Sequence, residues 1–148
     1  MKIAIGGDHA GFELKTELVE VIEKLGHEVV DYGTDSTLPV DYPDFSRAVG
    51  EAVRNHEADR GIVVCGSGAG ATIAANKING VRAALAHDVY TAHQGVEHDD
   101  VNVLTMGSRV IGPAIAKEVV EAFLKANFSG EERHVRRLEK VMKIEADN

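Results

Sequence analysis

The sequence is poor in cysteine, tryptophan and long apolar runs. Its 148 residues include one cysteine, Cys65, and no tryptophan. A single cysteine cannot form an intrachain disulfide, which suits a reducing compartment. Cys65 is then either a packing residue or a reactive thiol, and its surroundings must decide between the two.

Basic residues are also scarce. The chain has 16 Lys and Arg against 24 Asp and Glu, which gives a formal net charge of -8 at pH 7. This charge repels nucleic acids and anionic membranes over a long range, so we expect neither as a partner. No apolar run approaches the ~20 residues needed to cross a bilayer, and residues 1–5 lack the pattern of a signal peptide. We therefore expect a cytoplasmic protein.

Short β-rich runs alternate with helical patterns along the chain, and we predict one domain over residues 1–148. The predicted strands are Lys2 to Gly6, His27 to Tyr32, Gly61 to Cys65, Val81 to Ala86 and Asn102 to Met106. The alternation favours an α/β, Rossmann-like three-layer sandwich, in which a five-stranded parallel sheet has the flavodoxin-like order 2-1-3-4-5. An extra C-terminal helix is expected at about residues 129–148.

In such a sheet, ligands bind beyond the carboxyl ends of the strands where the strand order reverses, here after strands 1 and 3. The first of these loops, residues 6–11, holds Asp8 and His9 between glycines. Both side chains could contact a small polar ligand. Alternatively, Asp8 caps the next helix and His9 is merely exposed.

The second loop, residues 65–71, places Cys65 directly before a glycine-rich turn. Amides in this turn can converge on a phosphate or an oxyanion, helped by the following helix N-terminus. There a thiol could act as a base or nucleophile, although a buried cysteine that ends a hydrophobic strand is the alternative. Gly66, Gly68 and Ala71 also satisfy a relaxed dinucleotide fingerprint, so a small oxidoreductase domain is a competing hypothesis.

Two further groups could carry chemistry. His98 lies among carboxylates before strand 5, where it could donate a proton. No H-x-x-x-H pattern or second cysteine completes a ligand set around it, so we predict no metal site. Arg133 and Arg137 lie four residues apart on one helical face and could bind a phosphate, or they could pair in solvent with Glu132 and Glu139.

Seven segments, in their order and spacing, resemble the ribose-5-phosphate isomerase B group, which also includes the galactose-6-phosphate isomerase subunits. They are Gly-Asp-His-Ala-Gly at 7–11, Asp-Tyr-Pro at 41–43, Cys-Gly-Ser-Gly at 65–68, Ile-Ala-Ala-Asn-Lys at 73–77, Asn-Val-Leu at 102–104, Gly-Ser-Arg-Val at 107–110 and Arg-His at 133–134. The resemblance covers essentially the whole chain. It implies an aldose-ketose isomerase of sugar phosphates.

The resemblance implies a role for each matched residue. Cys65 would be the base that moves a proton between C1 and C2 through a cis-enediolate, and Ser67 would help move the proton between the substrate oxygens. His98, assisted by Asp8, would open the furanose ring. The other implied contacts are the backbone amides of Gly66, Ser67, Gly68, Ala69 and Gly70 for the enediolate, and His9, Tyr42, Asp99, Arg109, Arg133 and Arg137 for the sugar and its phosphate.

The resemblance also implies that no metal or organic cofactor is needed and that two subunits build each site. We therefore expect a homodimer or a tetramer, in which the C-terminal helix packs on a partner subunit. The chain departs from many relatives in that Ser67 replaces a threonine, which keeps the hydroxyl, and Asp99 replaces an asparagine, which adds charge beside the sugar. Ribose 5-phosphate is the first expected substrate, before four- and six-carbon sugar phosphates; a non-catalytic sugar-phosphate or nucleotide-binding domain is the remaining alternative.

Overall fold

The computed structural model describes all residues from 1 to 148 and contains five strands and six helices. In chain order they are β1 (Lys2–Gly7), α1 (Phe12–Lys24), β2 (Glu28–Asp31), α2 (Tyr42–Arg54), β3 (Arg60–Cys65), α3 (Ala69–Ala75), β4 (Ala83–Leu85), α4 (Val89–Asp99), β5 (Val103–Gly107), α5 (Pro113–Lys125) and α6 (Glu132–Ala146). The predicted order of strands and helices is confirmed. Local signals account for the bounds, since Gly26 adopts a φ of 89° directly after α1 and Pro43 lies in the first turn of α2.

The five strands form one parallel sheet, but the last two strands lie in the reverse of their predicted order. The observed order is β2-β1-β3-β5-β4, so β5 and not β4 is the neighbour of β3. All five residues of β5 are buried, whereas β4 has only three residues and its Leu85 is 38% exposed. The longer apolar strand occupies the interior because it loses more exposed surface there, and the short strand forms the edge.

Helices cover both faces of the sheet, as the three-layer prediction requires. α1, α4 and α5 pack on one face, and α2 and α3 pack on the other. Along β3, Ile62 and Val64 belong to the first core, while Val63 and Cys65 belong to the second. Because side chains alternate along a strand, Cys65 lies on the α2 and α3 side, at the carboxyl end of β3.

The C-terminal helix α6 lies outside these layers. Its single buried residue is His134, and it contacts α4. The apolar side chains of Val141 and Ile144 on this helix are 51% and 66% exposed. That α6 packs on a partner subunit stays a prediction. None of the helices combines the length and the apolar character needed to cross a membrane.

Candidate active site

Two of the predicted site residues meet where β1 and β3 end. The register of these parallel strands pairs Gly7 with Val64, so the next residues, Asp8 and Cys65, are neighbours across the sheet edge. A cavity of about 300 Å³ opens beside them, and we call it the thiol pocket. Its lining residues are Asp8, Tyr42, Cys65, Gly66, Ser67, Gly70, Arg109 and Val110.

Cys65 lines the thiol pocket, and its sulfur receives a backbone hydrogen bond. The side chain is 4% exposed, and the backbone N–H of Gly68 donates to Sγ at 3.1 Å. Gly68 has a φ of 85°, and a Cβ at this position would lie 2.9 Å from the carbonyl carbon of Met106, so only glycine fits this turn. The guanidinium of Arg109 packs against Gly66, close enough that a Cβ there would be 3.3 Å from Nη1.

The carboxylate of Asp8 is nearly buried and held by the backbone. Its Oδ1 accepts hydrogen bonds from the N–H groups of Ala10 at 3.0 Å and Gly11 at 3.1 Å. The capping alternative is wrong, because the N-cap of α1 is Gly11 and no side chain caps this helix; the two donors belong to the turn that leads into α1. The same side chain also lines the thiol pocket, so these two hydrogen bonds fix its position beside Cys65.

His9 follows Asp8 and is half-buried beside the thiol pocket, although it does not line the cavity. Its Nδ1 accepts a hydrogen bond from the backbone N–H of Val40 at 3.2 Å. A backbone N–H can only donate, so the proton of the neutral ring lies on Nε2. His9 can therefore donate a hydrogen bond to an anion at this edge of the sheet.

Tyr42 and Ser67 form the upper wall of the thiol pocket. The ring of Tyr42 lies over Gly70, where a Cβ would come within 2.6 Å of Cζ. Ser67 is exposed, and its Oγ accepts a hydrogen bond from the N–H of Ala69 at 3.3 Å. The loop thus directs one amide N–H group toward the thiol and one toward the hydroxyl.

The structure does not place the other predicted site residues, His98, Asp99, Arg133 and Arg137, at the thiol pocket. Asp100, at the end of α4, binds Arg82 at 2.7 Å, and the carbonyl of Asn102 accepts from the N–H of Gly61. These contacts place the end of α4 at the amino end of β3, whereas Cys65 lies at its carboxyl end. Five residue steps separate the two ends by about 16 Å. Within one chain, His98 and Asp99 are therefore far from the thiol.

The remaining candidates gather at that far end, in a group that we call the distal cluster: His98, Asp99, Arg133 and Arg137. Asp99 and Arg137 line a groove of about 770 Å³ between α6 and the end of α3. His98 stacks on His134 with ring centroids 4.0 Å apart, which joins α4 to α6. The predicted pairing with Glu132 and Glu139 is wrong, since Arg133 pairs instead with Glu131 at 3.0 Å.

Comparison with known proteins agrees with the fold and identifies the family. The family model described as ribose/galactose isomerase matches residues 3–141. This chain belongs to the ribose/galactose isomerase family. The sequence-based expectation of a sugar-phosphate isomerase is therefore confirmed at the level of the family.

Three members of the ribose/galactose isomerase family show how far the similarity extends. Ribose-5-phosphate isomerase B of Escherichia coli is 46% identical, with 97% of this chain and 96% of that protein covered. D-erythrulose-4-phosphate isomerase of Pectobacterium atrosepticum is 41% identical, with 88% and 86% covered. The solved structure of ribose-5-phosphate isomerase B from Clostridium thermocellum superposes with a TM-score of 0.97 at 48% identity, over 99% of each chain.

The sequence patterns did not predict a role for three residues that the structure places at the thiol pocket or beside His98. Val110 lines the thiol pocket, and its position beside Arg109 was the only signal for it. Gln94 and His134 both contact His98. His134 belongs to a basic stretch that suggests exposure, so no local pattern indicates that it is buried. No group of three or more His, Cys, Asp or Glu side chains is arranged to hold a metal ion.

Proposed function

We propose that this chain interconverts ribose 5-phosphate and ribulose 5-phosphate, with Cys65 as the base that moves the proton between C1 and C2. The observation that carries the proposal is the thiol pocket, in which Cys65 lies beside Asp8 and receives the N–H of Gly68. The family and the relative from Escherichia coli support the choice of substrate. The reaction needs no metal or organic cofactor.

In the proposed reaction, the thiolate of Cys65 removes the proton from C2 of the open-chain aldose. The electron pair of the C–H bond forms a C1–C2 double bond, and the carbonyl electrons move to O1, which gives a cis-enediolate. Ser67 transfers the proton of O2 to O1, and the thiol returns its proton to C1. N–H groups of residues 66–70 stabilise the charge on the enediolate oxygens.

The distal cluster completes the site when it comes from a second copy of the chain. In a two-fold dimer, the same two surfaces meet twice, so a thiol pocket facing a distal cluster yields two complete sites. Exposed apolar side chains lie on the elements between the two surfaces and support such an interface: Ile73 on α3, Leu85 on β4, Tyr90 on α4 and Ile144 on α6. A homodimer is the smallest assembly with complete sites, and a tetramer would consist of two such dimers.

Residues of both subunits then take part in ring opening and in phosphate binding. Asp8 takes the proton of the O1 hydroxyl, the C1–O4 bond breaks, and the partner subunit's His98 supplies a proton to O4. Arg109 and His9 bind the phosphate from one side. The partner subunit's Arg133 and Arg137 bind it from the other, because two guanidinium groups match the phosphate oxygens in geometry and charge.

A four-carbon sugar phosphate is the second candidate substrate. Asp99 is exposed and lines the same groove as Arg137, so its carboxylate would lie close to the bound sugar or phosphate. An additional negative charge there disfavours some positions of the phosphate. The relative from Pectobacterium atrosepticum, which carries the name of a four-carbon isomerase, makes erythrose 4-phosphate the obvious comparison.

Proton NMR in heavy water tests the proposal directly. The purified protein is given ribose 5-phosphate, erythrose 4-phosphate or allose 6-phosphate, and both turnover and deuterium entry beside the carbonyl are followed. Cys65→Ala and the near-isosteric Cys65→Ser are the control variants, since Cys65→Ser keeps the hydrogen bond from Gly68. We expect fastest turnover with ribose 5-phosphate and a loss on the order of 10²- to 10⁴-fold in both variants.

Each alternative outcome has a distinct meaning. Fastest turnover with erythrose 4-phosphate would replace the pentose by the four-carbon substrate and keep the role of Cys65. Near-normal turnover in Cys65→Ser would overturn the proposed base. Saturable binding of all three sugar phosphates without turnover would overturn the isomerase and leave a non-catalytic sugar-phosphate-binding domain.

A further inference from the structure

The side chain of His98 is held on two sides by residues that carry no charge. Gln94 lies one helical turn earlier on α4, and its amide Nε2 is 2.9 Å from Nδ1 of His98. His134 of α6 covers one face of the His98 ring at an interplanar angle of 25°. The other ring nitrogen of His98, Nε2, has no hydrogen-bond partner within the chain and is not buried.

The contact with Gln94 supports both the neutral ring, with its proton on Nε2, and the charged ring. As placed, the amide N–H donates to Nδ1, so the proton of the neutral ring lies on Nε2. A half-turn of the amide presents its carbonyl oxygen instead, which would accept a hydrogen bond from a protonated Nδ1. A carboxylate at this position would favour only the protonated ring.

Helix α4 also contains a histidine that contacts a carboxylate instead of a neutral amide. His93 and Glu97 have the same spacing of four residues, and Nδ1 of His93 is 3.1 Å from the Glu97 carboxylate. α4 therefore offers an internal comparison: one histidine with a charged partner outside the distal cluster, and one with a neutral partner within it.

His134 is neutral for a structural reason. It is 1% exposed, its Nδ1 is 2.5 Å from Oγ of Ser129, and its Nε2 is buried without a partner. A proton on both nitrogens would bury an unpartnered, charged N–H, which is costly. Burial accordingly lowers the pKa of His134, and the neighbouring His98 and Arg133 lower it further; Glu131 raises it, and Arg137 has the smallest lowering effect.

We propose that Gln94 and His134 are positioning residues for His98: Gln94 holds Nδ1 and His134 holds the plane of the ring, which leaves Nε2 as the nitrogen that exchanges a proton with the sugar. This inference rests on the proposed function, in which His98 supplies a proton to O4 during ring opening. His134 does not compete for that proton because it stays neutral. The charged groups around the pair are Asp99 on α4 and Glu131, Arg133 and Arg137 at the start of α6.

Nitrogen-15 NMR of the free protein tests the positioning without any turnover. At a pH above the titration of His98, we expect the wild-type ring to carry its proton on Nε2 and the ring of Gln94→Leu to populate both tautomers. Equal tautomer populations in the wild type and in Gln94→Leu would overturn the role of Gln94.

Kinetics then test whether the positioning serves ring opening. Ribulose 5-phosphate cannot close a furanose ring because its O5 carries the phosphate, so the reaction from this side does not require ring opening. We expect Gln94→Leu and His134→Ala to lower kcat on ribose 5-phosphate by about 10- to 100-fold and to affect ribulose 5-phosphate much less. Equal losses in both directions would overturn the inference while leaving the isomerase intact.

Two variants complete the design. His134→Phe keeps a neutral ring against His98, so it should retain most of the activity on ribose 5-phosphate that His134→Ala loses. Glu97→Gln removes the carboxylate from the His93 pair and should leave both reactions unchanged. A loss in His134→Phe as large as that in His134→Ala would contradict the role of the ring plane. No turnover in any variant or in the wild type would overturn the proposed function, and the tautomer measurement would still decide the positioning.

Discussion

Cys65 and His98 lie at opposite ends of the same parallel sheet. Cys65 ends β3, whereas α4 carries His98 back toward the amino edge, where Asp100 pairs with Arg82. The length of β3 separates these edges by about 16 Å, several times the reach of a proton transfer. A reaction that uses both side chains at one substrate therefore requires two copies of the chain, and this requirement can be tested.

Mixed dimers provide that test. Cys65→Ala and His98→Asn chains should each be inactive on ribose 5-phosphate, but co-refolding them in equal amounts should restore about one quarter of the wild-type activity. The reason is that half of the dimers contain both chains, and each of these has one intact site of two. Turnover by the refolded mixture, compared with each variant refolded alone, is the measurement. An inactive mixture that contains heterodimers by mass spectrometry would contradict the shared site.

Arg137→Ala should weaken substrate binding more than it slows the chemistry. A charge-assisted hydrogen bond to a phosphate contributes about 1.5–3 kcal/mol, so KM should rise about 10- to 100-fold with a smaller change in kcat. Arg136→Ala is the matched control, because Arg136 is an exposed neighbour on α6 that does not line the groove. A similar rise of KM in both variants would mean that Arg137 acts only through general electrostatic attraction and makes no specific contact with the phosphate.

Gly68→Ala should damage the thiol pocket and the stability of the fold together. At a φ of 85° alanine is strained, and its Cβ would meet Leu85 and the backbone of Met106 at 2.4 and 2.9 Å. We expect the free energy of unfolding to fall by about 1–3 kcal/mol. Gly112→Ala is the control, since no atom lies within 4 Å of a Cβ there. Urea denaturation of both variants is the measurement, and equal stability would contradict the strain at Gly68.

The buried His134 should make the fold less stable in mild acid. Its lowered pKa means that the unfolded chain binds a proton that the folded chain does not, so the free energy of unfolding falls as the pH drops below about 6.5. His134→Phe should flatten this part of the pH dependence of Tm. Burial and the charged amino terminus also lower the pKa of His27, so His27→Gln is the control that removes only that contribution. Parallel Tm curves for the wild type and His134→Phe would contradict the expectation.

The fold was predictable where local patterns are sufficient. The continuous apolar runs of β1 and β3, the helical period of α1, and the glycine and proline signals at Gly26 and Pro43 depend only on neighbouring residues. The order of β4 and β5 was not predictable in this way. It depends on which strand buries more surface against β3, a competition between segments that are far apart in the sequence.

The sequence by itself determined that Asp8 lies beside Cys65 and its glycine-rich loop, because the carboxyl ends of adjacent parallel strands share one edge of the sheet. Only the tertiary structure decided where the distal cluster lies. α6 meets α4 through the stacking of His134 on His98, a contact between residues 36 positions apart that no local pattern encodes. The burial of one histidine thus places Arg133 and Arg137 beside His98, at the end of the sheet that a single chain cannot bring to its own thiol.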